Sequence, residues 1–295
     1  MSEFKTYHPI VNFIYFVFVI GFSCFFMHPV CLCISLACGF AYSVVLKGKK
    51  AIKTNLIYML PMMFLTALIN PLFNHAGATI LCYYPSGNPL TLESVVYGIC
   101  AACMIASVIC HFSVYNEIMT SDKFIYLFGK IIPAMSLVIS MTLRFVPKFF
   151  AHIKVVTNAQ KCMGRDINSG GIIRRVKNAI NILSIMVTWS FENAIDTADS
   201  MKSRGYGIPG RTSFSIFKFD KRDIIALIFI LFLGIYTFAG NVTGGMYISF
   251  FPTFRVADVS PYSISVFAAY FVLCMCPVII EIREVRKWKA IKSKI

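Results

Sequence analysis

Charged side chains are scarce in this sequence. They make up 14% of its 295 residues, against roughly 25% in an ordinary soluble domain. Acidic residues are the scarcest, since 13 Asp and Glu oppose 28 Lys and Arg and leave a formal net charge of +15. Hydrophobic residues account for 58%, and the mean hydropathy is +0.72. These proportions predict a membrane protein. They argue against a nucleic-acid binder, because a soluble basic domain does not carry several apolar runs long enough to span a bilayer.

Several kinds of functional site are also missing. The sequence has no glycine-rich phosphate loop, no metal-ligand cluster and no nucleophile beside a base, so we expect no catalytic residue, metal or cofactor. Most of the 11 cysteines lie inside apolar runs, and the pair Cys100 and Cys103 has no second ligand pair nearby. We therefore expect small packing residues rather than disulfides. No cleavable signal peptide is expected, because the first apolar run lacks a basic start and a cleavage site.

The positive charges are placed unevenly. No Lys or Arg occurs between Thr54 and Asp122, whereas the stretch from Arg144 to Arg222 holds 14 of the 28. Positive residues accumulate on the cytoplasmic side of membrane proteins. The loop that begins at Lys47 and the basic tail from Arg283 are thus predicted to be cytoplasmic. The prediction is a multi-pass protein of the cell (plasma) membrane with both termini in the cytoplasm, and its tail contacts anionic headgroups of the bilayer.

The apolar runs predict about six transmembrane helices. The run 10–46 is too long for one span, and the pair His28-Pro29 splits it into two short ones. Four further spans are predicted at 56–73, 94–115, 223–239 and 263–280. The loops between them at 74–89 and 240–262 are rich in Gly, and we expect them on the outside.

The middle of the chain predicts two long cytoplasmic helices. Ser121-Asp122 forms a helix N-cap before a short interfacial helix, and a tilted helix then runs from the apolar stretch 131–143 past Arg144. After a break at Asn168-Ser169-Gly170-Gly171, a second helix is predicted over 172–204. It ends at Gly205 with a left-handed cap, and Pro209-Gly210 stops it. The fold class is therefore all-α. Three parts are predicted: 1–121 with N-terminal spans, 122–222 with the interfacial and cytoplasmic helices, and 223–295 with C-terminal spans and tail.

The ends of these two cytoplasmic helices share a pattern. The first closes on Cys162, Met163, Gly164 and Arg165, and the second on Ser203, Arg204 and Gly205. An Arg in the last turn is favourable against the helix dipole without any partner, which is one interpretation. The other is docking: a small residue permits close approach, Arg offers forked donors to a carboxylate, and Gly ends the helix.

The motifs Arg144-Phe145-Val146-Pro147, 159–164 and 198–207 resemble the signature of the transmembrane (T) component of energy-coupling factor (ECF) transporters. The resemblance covers essentially the whole chain. It implies two crossing coupling helices, each ending in an Ala-Arg-Gly-type tip that docks into a groove on one of two ABC-type ATPase subunits. It also implies a separate substrate-binding (S) membrane subunit that captures a vitamin, a metal ion or a related micronutrient. The T component itself is a non-catalytic scaffold.

Carried over by position, Arg204 is the docking arginine, flanked by Ser203 and Gly205. The first tip departs from the family pattern, because Cys162 and Met163 stand where Ala and Arg are usual. Gly164 is kept, and Arg165, which follows it, is expected to supply the missing charge from a shifted position.

Four residues are expected to support the coupling helices: Arg144, Pro147, Glu192 and Asp199. On the second helix Glu192, Asp196 and Asp199 share one face, for which a solvated surface or internal pairing is the alternative. A stand-alone secondary transporter and a membrane anchor without transport remain alternatives for the whole chain. The first would need paired intramembrane charges or repeated broken helices.

Overall fold

The fold is that of a computed structural model, which describes residues 3–85, 87–129, 132–166, 171–208, 217–256 and 260–292. Within these ranges the chain is helical apart from two small hairpins. The helices are α1 Pro9–Phe25, α2 Pro29–Lys47, α3 Lys49–Phe73, α4 Leu92–Ile118, α5 Ser121–Gly129, α6 Pro133–Cys162, α7 Ile172–Ser203, α8 Lys221–Val242 and α9 Pro261–Lys292. The strands are β1 Ile80–Tyr83, β2 Pro89–Thr91, β3 Ile248–Ser249 and β4 Arg255–Val256. The predicted all-α class is confirmed.

The chain divides into two compact units, the first comprising Met1–Phe124 with Phe217–Ile295 and the second Ile125–Ile216. In the first unit, which we call the membrane unit, α2 packs against α4 and α9, and α1 packs against α4 and α8. Its core centres on α1, where Tyr15, Phe16 and Val19 are buried. Apolar side chains that face outward on α3 and α8 suit a lipid environment, in which exposed hydrophobic surface carries no penalty.

The break between α1 and α2 lies where Pro29 predicts it. His28 caps α2: its Nδ1 accepts the backbone N–H of Val30 at 3.3 Å, and Pro29 takes the first helical position. The same device starts α1, where Nδ1 of His8 accepts the N–H of Ile10 at 3.3 Å. Pro is favoured at this position because its missing N–H would have no partner there.

Six described helices are long and apolar enough to cross a membrane: α2, α3, α4, α6, α8 and α9. The predicted number of about six spans is confirmed, but the set of helices that form them differs from the prediction. The predicted first span, α1, has 17 residues and reaches about 26 Å, short of a hydrocarbon core of about 30 Å. In contrast, α6 is among the six. The tilted helix that was predicted to run past Arg144 is a single helix of 30 residues, and it continues through Pro147.

The loops that were predicted to lie outside contain short structure of their own. Strands β1 and β2 form an antiparallel hairpin, as do β3 and β4. The carboxylate of Glu93, in the first turn of α4, accepts the backbone N–H and the hydroxyl of Thr79. The predicted N-cap at Ser121-Asp122 is wrong by one residue, because Ser121 is already the first residue of α5.

The second unit consists of the end of α5 with α6 and α7. These last two helices pack through Val156, Ile182 and Met186, with the ring of His152 stacked on that of Trp189 at 4.1 Å. Residues 168–170 of the predicted break and the predicted stop at Pro209-Gly210 lie outside the described residues, whereas Gly171, the last residue of that break, is the N-cap of α7. We call this part the α6–α7 unit.

Candidate functional site

The end of α6 is closed by its own backbone. Gly164 has φ +74°, and its N–H donates to the carbonyl of Lys161 at 3.0 Å. The N–H of Arg165 reaches back to the carbonyl of Gln160 at 2.9 Å. These two hydrogen bonds define a Schellman motif, with Met163 as the C-cap and Gly164 in the left-handed conformation that an L side chain avoids.

The end of α7 repeats this arrangement bond for bond. Gly205 has φ +78°, its N–H donates to the carbonyl of Lys202 at 3.0 Å, and the N–H of Tyr206 donates to that of Met201 at 3.0 Å. The left-handed cap predicted at Gly205 is confirmed. Ser203 Oγ donates to the carbonyl of Ser200 at 2.9 Å, so its hydroxyl is directed back along the helix. Arg204, at the C-cap, is exposed.

The two motifs set the correspondence between the tips. Met163 is the counterpart of Arg204, and Cys162 is the counterpart of Ser203. Arg165, which we expected to supply the missing charge, occupies the position of Tyr206 instead. It lies beyond the left-handed glycine, where the chain has already turned away from the helix axis. Met163 is 60% exposed, so the first tip presents an apolar side chain where the second presents a guanidinium.

The two tips lie at opposite ends of an antiparallel pair. Trp189 of α7 contacts His152 near the middle of α6, whereas Asn178 Nδ2 donates to the carbonyl of Asp166 just after the first tip, at 3.0 Å. Residue numbers thus rise along one helix and fall along the other. Arg204 lies 26 residues after Asn178, which is about 39 Å of α-helix.

The predicted supporting residues all lie on the surface of the α6–α7 unit. Glu192 and Asp199 are exposed on α7, and neither takes part in an ion pair with any residue that the structure describes. This favours a solvated or partner-facing surface over internal pairing. Arg144 and Pro147 are exposed on α6, where the Arg144 guanidinium lies 5.7 Å from the Phe145 ring centre.

Polar side chains inside the membrane unit form a network that sequence reasoning missed. The Ser35 hydroxyl lies 2.5 Å from those of Ser23 and Ser107 and 3.0 Å from Nε2 of His111. All four residues are at most 1% exposed. The network joins α1, α2 and α4, and we therefore interpret it as a structural link between these helices. Serines inside otherwise apolar runs were the available signal.

The model of the CbiQ family, described as cobalt transport protein, matches residues 2–214 of the chain. The energy-coupling factor transporter transmembrane protein EcfT of Lactobacillus helveticus (strain DPC 4571) is 44% identical over 103 residues, 34% of this chain and 37% of that protein. The protein of the same name from Lactococcus lactis subsp. cremoris (strain MG1363) is 35% identical over 102 residues, 34% of this chain and 38% of that protein.

A third relative, EcfT of Streptococcus equi subsp. equi (strain 4047), is 36% identical over 105 residues, 35% of this chain and 39% of that protein. The matched stretch thus spans well under half the length of each relative. The family model, by contrast, matches most of the chain, and six described helices are suited to spanning a bilayer. The chain is therefore a multi-pass membrane protein that belongs to the CbiQ family.

Proposed function

We propose that the chain is the transmembrane component of an ECF transporter, the scaffold through which two ABC-type ATPase subunits drive uptake by a substrate-binding (S) membrane subunit. The carrying observation is the pair of matching Schellman motifs at the C-terminal ends of α6 and α7. These two tips lie at opposite ends of the helix pair. Two like helix ends suit two like grooves on a pair of partner subunits. The name of the three relatives, energy-coupling factor transporter transmembrane protein, supports the same assignment.

The second tip is the stronger docking point in this proposal. The exposed guanidinium of Arg204 presents forked N–H donors that match a carboxylate on the partner. Gly205 ends the helix without a side chain, and the hydroxyl of Ser203 is occupied by its own helix. The tip therefore places its guanidinium directly before the glycine that ends the helix, which suits insertion into a groove.

The first tip docks mainly through apolar contact. Met163 takes the position of Arg204, and its flexible thioether side chain adapts to irregular apolar surfaces. Cys162 keeps the approach narrow, and Gly164 turns the chain away. Arg165 adds a cation beside this contact and not within it.

The rest of the proposal concerns orientation and support. Residues 1–121 and 223–295 form the bilayer part, with both termini in the cytoplasm, and 122–222 carry the coupling helices. Glu192 and Asp199 provide an acidic face for a partner, while Arg144 and Pro147 mark the part of α6 that leaves the apolar region. ATP hydrolysis belongs to the partner subunits, and the S subunit selects the substrate.

Affinity purification from the native membrane tests the proposal. Wild-type protein should capture two ATPases and a small hydrophobic membrane subunit. Arg204→Glu should abolish capture of the ATPases, because it places a like charge against the carboxylate that Arg204 binds. Lys202→Glu is the matched control, since it makes the same charge change two residues away at an exposed position of α7. Full capture by Arg204→Glu would contradict the proposed tip.

The rival of another class is a stand-alone secondary transporter. In the described spans the fully buried histidine, His111, is hydrogen-bonded to a serine and has no charged partner there. A carrier would work without partners. Transport by the purified chain alone in liposomes would therefore overturn the proposed function in favour of this rival.

A further inference from the structure

The N-terminal segment is built into the membrane unit. A single 3-10 turn, Phe4–Thr6, precedes α1, and the Phe4 ring is fully buried against Tyr7 and Tyr15. The backbone N–H groups of Glu3 and Phe4 donate to the carboxylate of Glu281 in α9, at 3.1 and 3.2 Å. This short segment is thus held at both its side chains and its backbone.

The same segment is bound to the start of α8. The N–H of His8 donates to the carboxylate of Asp223 at 3.3 Å. The Arg222 guanidinium lies 4.2 Å from the Tyr7 ring centre and 3.6 Å from a carboxylate oxygen of Glu3. Residues before α1 therefore join parts of the chain that are more than two hundred residues apart.

A buried lysine ties a third element to this segment. Lys123, in the first turn of α5, is 4% exposed, and its Nζ donates to the carbonyl of Lys5 at 2.6 Å. With the Asn12 amide oriented to satisfy both of its ends, Nζ also lies 2.7 Å from the Asn12 oxygen, and the Asn12 nitrogen donates to the carbonyl of Phe4 at 3.1 Å. No carboxylate of the described residues forms an ion pair with Lys123.

An ammonium that only neutral oxygens contact is costly to bury. The position of Lys123 in the chain indicates which part of the fold these contacts hold in place. Phe124, the next residue, is the last of the membrane unit before the chain enters the α6–α7 unit at Ile125. Helix α5 runs through this boundary. Lys123 therefore lies one residue before the end of the membrane unit, in the helix that leads out of it.

We infer that Lys123 is a positioning residue that anchors the exit of the membrane unit to the N-terminal segment, so that movement arriving through α5 is passed to α1, α8 and α9. The inference rests on the proposed function for the origin of that movement. The anchor itself does not depend on it. A loose first turn of α5 would absorb the displacement, whereas a turn bonded to Lys5 and Asn12 transmits it.

Hydrogen exchange of the full chain in lipid nanodiscs tests the anchor. Lys123→Met keeps the length of the side chain but removes the ammonium. It should speed exchange about tenfold in residues 3–8 and 121–126, as expected for the loss of charged hydrogen bonds. Lys53→Met, at an exposed position of α3, should leave both segments unchanged. Wild-type exchange in Lys123→Met would overturn the anchor.

A second variant keeps the test decisive if Lys123→Met does not fold. Asn12→Asp places a carboxylate oxygen at the position now 2.7 Å from Nζ of Lys123. It should strengthen the bond to Nζ and slow exchange in residues 121–126 about threefold or more. Residues 3–8 are not scored in this variant, because the change also removes the N–H that Asn12 donates to the carbonyl of Phe4. Unchanged or faster exchange there would contradict the inference.

Transmission is tested in the complex with its co-purified ATPases. Mg-ATP with orthovanadate should change exchange in α1 and α9 of the wild type and of Lys53→Met. In Lys123→Met this response should be lost while the rate of ATP hydrolysis stays within twofold. A retained response, or a parallel loss of hydrolysis, would overturn the transmitting role. If no ATPase co-purifies with the wild type, the proposed function fails, and the exchange data on the isolated chain still decide the anchor.

Discussion

Met163 and Arg204 occupy the same position of two matching helix ends. Each is the C-cap residue before a left-handed glycine, and each end is closed by the same two backbone hydrogen bonds. The backbones of the two tips are therefore equivalent, and the difference between them resides in the side chains. One tip presents a thioether and the other a guanidinium.

This difference between the two side chains predicts unequal contributions of the tips to docking. Arg204→Ala should weaken capture of the ATPase subunits about tenfold or more, because it leaves a partner carboxylate without its donors. Met163→Ala removes apolar contact alone and should weaken capture about threefold. Quantitative co-purification of each variant measures the two effects. An equal or larger loss at Met163 would mean that the first tip dominates.

The hydroxyl of Ser35 is the centre of the buried network, so its removal should be costly. Ser35→Ala leaves Ser23, Ser107 and His111 without their shared partner inside the membrane unit. We expect a loss of about 1–3 kcal/mol, seen as a lower melting temperature of the purified protein in detergent. Thr66→Val is the control, because the Thr66 hydroxyl bonds only the carbonyl of Met62 in its own helix. Equal melting temperatures of the two variants would show that the network contributes nothing.

The pKa of Lys123 predicts a pH dependence. Burial, with a smaller effect of the nearby Lys5 charge, lowers the pKa of Lys123 from 10.5 to about 8. Between these values the unfolded chain holds a proton that the folded chain has released, so the contribution of this group to stability rises with pH. Wild-type protein should gain about 1–2 kcal/mol relative to Lys123→Met between about pH 7.5 and 9.5.

Melting temperatures of the two proteins across this range provide the measurement. Lys123→Met removes the titrating group and keeps the aliphatic stem, so other groups that titrate in the range cancel in the difference. A difference that stays constant or falls with pH would show that the Lys123 ammonium is not desolvated in the folded protein.

Local signals in the sequence account for the parts of the fold that were predicted. The break at Pro29 and the end of α7 at Gly205 depend on backbone preferences that a single residue imposes. The number of spans follows from the lengths of apolar runs. Whether α1 or α6 is long enough to count as a span was not predictable, because a difference of a few residues in helix length decides it.

Contacts between distant residues account for what was missed. The bond between Ser35 and His111 joins positions 76 residues apart, and that between Lys123 and Lys5 joins positions 118 apart. No local pattern marks such pairs, because each depends on which helices become neighbours. Lys123 carried a weak signal as the first Lys or Arg after Lys53. Of the candidate site, the tips were predictable by their glycines, whereas the equivalence of Met163 and Arg204 needed the hydrogen bonds.

Because α6 and α7 pack antiparallel, the length of α7 sets the distance between the two tips. About 39 Å of helix separates Arg204 from Asn178, which is bonded beside the other tip. A small globular domain is about 30 Å across, so a single small partner does not reach both tips. A partner that engages both tips must therefore contact them at two sites about that far apart. Any change in the distance between those two sites must bend the helix pair, turn it, or release one end.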